Sequence, residues 1–190
     1  LLANAGWQDH DGDGVLDKNG MPFRFTLIYP NVNTTFQKML PILKEDMAKA
    51  GIQMEALSLE WSVVLQRLEK RQFDACMIAW TSSMRPDPYQ LWHSDHAGKP
   101  ATSNFITFRN KEADALIDAI RVEFDDAKRQ VLYHKFHQLI HDETPYLFLF
   151  SPMNLVAVSK RYRNLRMFPG GFAERILWTP AKEQRVVPGI

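Results

Sequence analysis

The sequence predicts an α/β fold in which a mainly parallel sheet is flanked by helices. Three observations lead there. Strand-period and helix-period segments alternate as β-α-β-α-β over residues 23–80. The connections between them are short, as in right-handed crossover units. The third strand segment, Phe73 to Trp80, is apolar almost throughout, which suits a strand covered on both faces.

Each element follows from its residues. In Phe23-Arg-Phe-Thr-Leu-Ile-Tyr29, Phe23, Phe25, Leu27 and Tyr29 fall on one side, giving a strand that stops at Pro30. A helix follows, capped by Thr34 or Thr35. Its apolar positions Phe36, Met39, Leu40, Leu43, Met47 and Ala50 recur at helical spacing until Gly51. Pro41 inside that pattern predicts a kink or a later start. Ile52–Leu59 reads as a second strand, and Glu60–Arg71 as a second helix with Val63, Val64 and Leu68 inward. A long loop with Pro86, Pro88, Gly98 and Pro100 comes next, with a helical turn at Tyr89–His93. Lys111–Phe124 and Asp126–Asp142 read as helices, with Leu116, Ile117 and Ile120 inward on one and Leu132, Phe136, Leu139 and Ile140 on the other. Pro145–Phe150 reads as a further buried strand, and Asn154–Ser159 as a segment pairing beside it. Beyond Lys160 the chain is basic and irregular. Residues 1–159 are expected to form one lobe, and residues 160–190 to cross to a neighbouring one.

Composition excludes several classes. With 23 basic and 22 acidic residues spread along 190 positions, no electrostatic stripe suits a nucleic-acid backbone. No apolar run approaches the roughly 18 residues of a membrane-spanning helix. The chain opens on Leu1-Leu2, with residues that read as a helix end running into Gly6, and is expected to be a piece of a longer protein. Cys76, the single cysteine, cannot form an internal disulfide and sits in an apolar run that reads as a buried thiol.

The sharpest local motif is Asp9-His-Asp11-Gly-Asp13-Gly-Val15-Leu-Asp17. Asp9, Asp11 and Asp13 match the first three ligand positions of an EF-hand calcium loop, the Val15 carbonyl the seventh and Asp17 the ninth. The twelfth position holds Gly20 in place of a bidentate glutamate, so the expectation is a weak structural calcium site or a solvated Asx-turn loop. No cofactor is required. His134, His137 and His141 share one helix face, and His93 and His96 form a second pair. One helix cannot wrap three ligands around zinc, so these read as exposed helix histidines. No nucleophile elbow, phosphate loop or dinucleotide fingerprint occurs, which argues against an enzyme. The strand end at Trp80 and the loop Thr81–Asp87, with Arg85, Tyr89, Trp61 and Trp92 nearby, fall where an open α/β sheet binds ligands.

The order and spacing of several elements resemble the C-terminal lobe of bacterial extracellular solute-binding proteins of the dipeptide/oligopeptide ABC-transporter type. These are Gly6-Trp7-x-Asp9-x-Asp11-Gly-Asp13-Gly-Val-Leu-Asp17-x-x-Gly20, Ala50-Gly51-Ile52, Trp61, Phe73-Asp74, Trp80, Pro86-Asp87-Pro88, Asn104-Phe105, Phe108-Arg109-Asn110, Asp114-x-Leu116-Ile117 and Glu143-Thr-Pro145-Tyr146. The resemblance implies a periplasmic-binding-protein-like lobe that closes on a missing N-terminal lobe around a peptide or similar small solute. It also implies delivery to an ABC permease, and a periplasmic or extracellular location associated with the membrane through that transporter. By the same resemblance Ala79, Trp80, Thr81, Ser82 and Ser83 line the cleft, with Trp61 facing it. Ser83 stands where the peptide binders carry an aspartate that pairs with the ligand amine. Asp87 is the candidate to serve instead, and Arg85 would favour an anionic group. A calcium-stabilised interaction domain without a transport role is the alternative.

Overall fold

The computed structural model describes residues 1–81, 85–153, 155–168 and 171–184. They gather into two compact units, one of Leu1–Trp80 with Asp87–Pro145, the other of Thr81–Pro86 with Tyr146–Ile190.

In the first unit a short hairpin, β1 (Asp17–Lys18) and β2 (Met21–Pro22), precedes strand β3 (Arg24–Pro30). Helix α1 (Thr34–Lys49) leads to β4 (Gln53–Leu59), and helix α2 (Trp61–Lys70) to β5 (Ala75–Cys76). The sheet order is β4-β3-β5, parallel throughout, with Arg24 opposite Gln53, Pro30 opposite Leu59, and Leu27 opposite Ala75. Alternation along β3 supplies both faces. On one, Phe36 and Leu40 of α1 form a core with Met54 and Met77, against which Phe25, Leu27 and Tyr29 pack. On the other, Ile28 is buried, and α2, which lies on β3, buries Val64 and Leu68. Val63, expected inward, is exposed.

The cap of α1 is Asn33, whose carboxamide oxygen accepts from the Thr35 and Phe36 amides, one or two positions before the expected threonines. The helix continues through Pro41; proline lacks an N–H, so the Gln37 carbonyl simply loses its usual donor. Gly51 ends the turn after α1 at φ +75, and a Cβ there would stand 2.7 Å from Leu16 Cγ. The Leu16 amide also donates to the Gly51 carbonyl, which ties the aspartate loop to the sheet.

Two expected strands come out differently. Phe73–Trp80 pairs as a strand only at Ala75–Cys76. Before it, the Thr26 amide donates to the Asp74 side chain at 2.9 Å, so a carboxylate takes the place of a ladder carbonyl. After the Met77 amide bonds the Ile28 carbonyl, the chain emerges with Ala79 and Trp80 exposed, so coverage on both faces ends there. Pro145–Phe150 is not a strand: Leu147, Phe148, Leu149 and Phe150 are exposed, and no strand among the described residues pairs with them. Residues 155–159 are likewise unpaired, and Asn154 lies outside the described residues. Burial of Cys76 pushes its thiol up to about 12, as befits an unreactive side chain.

A single turn, α3 (Tyr89–Trp92), opens the segment leading to α4 (Lys111–Val122) and α5 (Asp126–Glu143). Asn110 and Asp125 cap the two long helices. They pack together, burying Ala113, Ile117 and Ile120 on α4 and Phe136 and Ile140 on α5. Asn104, fully buried, organises the intervening loop. Its oxygen accepts from the Phe108 amide at 2.8 Å and its nitrogen donates to the Phe108 carbonyl at 2.9 Å.

Among the described residues of the second unit, β6 (Met167–Phe168) pairs antiparallel with β7 (Gly171–Phe172), and Arg163 bridges Trp178. Arg163 also pairs with Glu183 at 2.8 Å. None of its described residues is buried. The first unit ends at Pro145, and residues from Tyr146 onward group with the second.

Candidate functional site

Parallel strands expose the dipolar ends of their peptide groups and the N-termini of the following helices at one edge of the sheet, and that edge is where ligands bind in open α/β sheets. Trp61 follows the carboxyl end of β4 as the first residue of α2, and Trp80 follows β5. Both indoles are open, at 45% and 44% exposure. For a residue type that usually hides its ring, this marks available contact surface. Just before Trp61, Glu60 accepts from Asn31 Nδ2 at 2.6 Å, which links the ends of β3 and β4. Trp80 is held by Phe105, whose ring is near-parallel at 6.0 Å. Phe105 stands out only in the structure, although it follows the buried Asn104. The signal in the sequence was the Asn104-Phe105 pair.

The other candidates divide. Ala79 is exposed beside Trp80. Thr81 and Arg85 belong to the second unit, and Ser82 and Ser83 lie outside the described residues. Asp87 is engaged locally, since its carboxylate accepts from the Tyr89 amide at 3.0 Å and meets Arg121 Nε at 3.2 Å. Arg121 in turn lies over the Tyr89 ring, 4.1 Å from its centre. Tyr89 donates its hydroxyl to Asp95 at 3.0 Å, a bond that holds the phenol above its ordinary range. Trp92, grouped with the strand-end loop by the sequence, is core: it is buried and meets Phe108 edge-on. His93 is buried and its Nδ1 accepts from the Asp95 amide at 3.1 Å, so it is not the exposed residue its type suggested.

The aspartate loop brings Asp9, Asp11 and Asp13 together, with one carboxylate oxygen of each within 4.8 Å of the others. These carboxylates serve the backbone. Asp9 accepts from the Gly12 and Gly14 amides at 2.7 and 3.0 Å, Asp11 from the Asp13 amide, and Asp13 from the Val15 amide and from Arg24. Asp17 is not in the cluster; its two oxygens take the amide and Nδ1 of His10 at 3.0 and 2.9 Å. Such a donor set describes an Asx-turn loop that satisfies itself, and three carboxylates without a bidentate partner fit calcium only loosely.

The Gly12 amide, ahead of the other donors, holds the Asp9 carboxyl below the usual aspartate range. A carboxyl depressed by folding stabilises the native state fully above its unfolded range and loses that contribution as pH falls through the native value. Acid unfolding followed by circular dichroism should therefore show Asp9→Asn less stable than the parent at neutral pH, with the gap closing below about pH 4. A gap independent of pH would contradict this role.

Residues 1–101 match the family model "Bacterial extracellular solute-binding proteins, family 5 Middle". The oligopeptide-binding protein AppA of Bacillus subtilis is 32% identical over 171 residues, which cover 89% of this chain and 31% of that protein. The structure of AppA in complex with a nonapeptide superimposes with a TM-score of 0.79 at 30% identity, covering 94% of this chain and 36% of the other. The nickel-binding periplasmic protein of Escherichia coli is 28% identical over 165 residues, covering 84% of this chain and 30% of that protein. The chain thus spans about a third of the length of these relatives, and none of them favours a calcium-stabilised interaction domain. With over half its length matching the family model and its α/β lobe shared with AppA, the chain belongs to the bacterial extracellular solute-binding proteins, family 5.

Proposed function

We propose that the chain is the C-terminal, ligand-facing lobe of the substrate-binding component of an ABC importer. It captures a peptide or similar small solute between two lobes by hinge closure and has no catalytic role. The observation that carries this reading is the pair of open indoles, Trp61 and Trp80, at the carboxyl edge of a parallel sheet in a chain similar over most of its length to a protein solved with a nonapeptide. Ala79 and Trp80, both exposed and with Trp80 stacked on Phe105, would offer their backbone to a peptide as an added strand. By family resemblance Thr81, Ser82, Ser83 and Arg85 are further candidates to meet the ligand. Asp87 is assigned to loop structure because Tyr89 and Arg121 already occupy its carboxylate. Ser83 in place of an amine-pairing aspartate weakens the grip on a peptide amino terminus, so sugars and metal chelates stand behind peptide as ligand classes. Location outside the cytoplasmic membrane and delivery to a permease follow from the same reading. The Asp9–Asp17 loop is a structural turn whose calcium affinity is weak.

The second unit supports the two-lobed reading. Leu147, Phe148, Met153, Leu155, Leu165, Met167 and Trp178 are all more than half exposed, an apolar surface of the kind that marks a contact with further protein. We assign residues 160–190 to a segment crossing back to the N-terminal lobe, with 146–159 leading into it.

The test is thermal unfolding of the full-length protein with oligopeptides, sugars and metal chelates. Ligand at a hundredfold excess over Kd stabilises by about 2.7 kcal/mol, a shift of several degrees. A shift with peptide is expected, and Asp87→Asn should leave it unchanged. No shift with any peptide would remove peptide as the ligand class.

A further inference from the structure

Helix α5 carries His134, His137 and His141 on one exposed face. His137 and His141 are four residues apart, so they stand one above the other on the helix surface. At that spacing two imidazoles can close on a single ion, as they do in zinc-binding helices.

What the sequence alone did not show is how His141 is oriented. Its Nδ1 lies 3.2 Å from Asp142 Oδ1, and Gln138 Nε2 donates to the same oxygen at 2.9 Å. A carboxylate so placed accepts the imidazole proton at Nδ1, with Nε2 on the far side of the ring from Asp142. A histidine backed by a carboxylate is the arrangement that fixes the tautomer and raises basicity in metal sites. The side chain of His141 is 80% exposed, so an ion reaches it without rearrangement of the fold.

We propose that His137 and His141 form a surface site for a divalent late first-row transition ion, with Asp142 orienting His141 and water filling the remaining positions. Two neutral imidazoles and no thiolate select Cu2+ ahead of Ni2+ and Zn2+. His134 lies on the far side of His137 from Asp142 and is not a ligand.

The experiment is titration of the untagged chain with Cu2+ by calorimetry, with electron paramagnetic resonance of the loaded protein. One saturable ion per chain is expected, with a nitrogen pattern from imidazole ligands. His137→Ala and His141→Ala should each abolish that binding, while His134→Ala leaves it intact. Asp142→Ala should weaken it about tenfold or more, the usual effect of removing an orienting partner. Circular dichroism shows whether each variant keeps its helix. Absence of saturable binding, or wild-type affinity in His137→Ala or His141→Ala, would overturn the site, and wild-type affinity in Asp142→Ala would overturn the orienting role.

Discussion

Met54→Ala is expected to lower the stability of the chain by about 2–5 kcal/mol, the range for truncating a long buried side chain. Met54 is 1% exposed and sits on β4 opposite Phe25, at the centre of the core made with Phe36, Leu40 and Met77. Its neighbours come from α1, β3 and the segment just past β5, so they cannot collapse together into the space left behind. Denaturant unfolding should show a lower midpoint with an unchanged slope. Met54→Leu, which conserves volume, should cost less than about 1.5 kcal/mol. A loss below 1 kcal/mol for the alanine variant would mean that β4 and α1 do not pack as described.

Trp80→Ala in the full-length protein is expected to weaken ligand binding by at least about 2 kcal/mol, roughly thirtyfold in Kd, with Trp61→Ala acting in the same direction. The physical basis is desolvation. Each indole is nearly half open in the lobe alone, so closure over a ligand removes apolar area that folding of the lobe left in water. Trp80 also stacks on Phe105 at 6.0 Å, so Trp80→Phe, which keeps an aromatic neighbour for that ring, should retain part of the affinity. Equilibrium titration with the ligand found by thermal unfolding measures all three variants. Wild-type affinity in Trp80→Ala would remove this edge of the sheet from the binding surface.

The β-α-β-α-β core was legible because its physics is local. Alternation at Phe25, Leu27 and Tyr29 and the helical spacing of Phe36, Met39, Leu40, Leu43 and Met47 each belong to one element, and the observed core uses those residues. The stop at Gly51 was legible for the same reason. Pairing was not. The run Phe73–Trp80 has the composition of a buried strand, but its length as a strand depends on Asp74 reaching Thr26, 48 positions away. Leu147–Phe150 is apolar without being buried, because burial needs a partner surface that a local pattern does not specify. At the site, the tryptophans were visible as residue types at strand and helix ends. The engagement of Asp87 by Arg121, 34 positions on, and the support of Trp80 by Phe105 emerge only once the fold brings them together.

A crystal structure of the full-length protein with a bound oligopeptide measures the central claim directly. Peptide backbone is expected against Ala79–Trp80, with the Trp80 and Trp61 rings in contact with the ligand. A bound peptide touching neither ring, with both indoles still open to solvent in the closed protein, would contradict it.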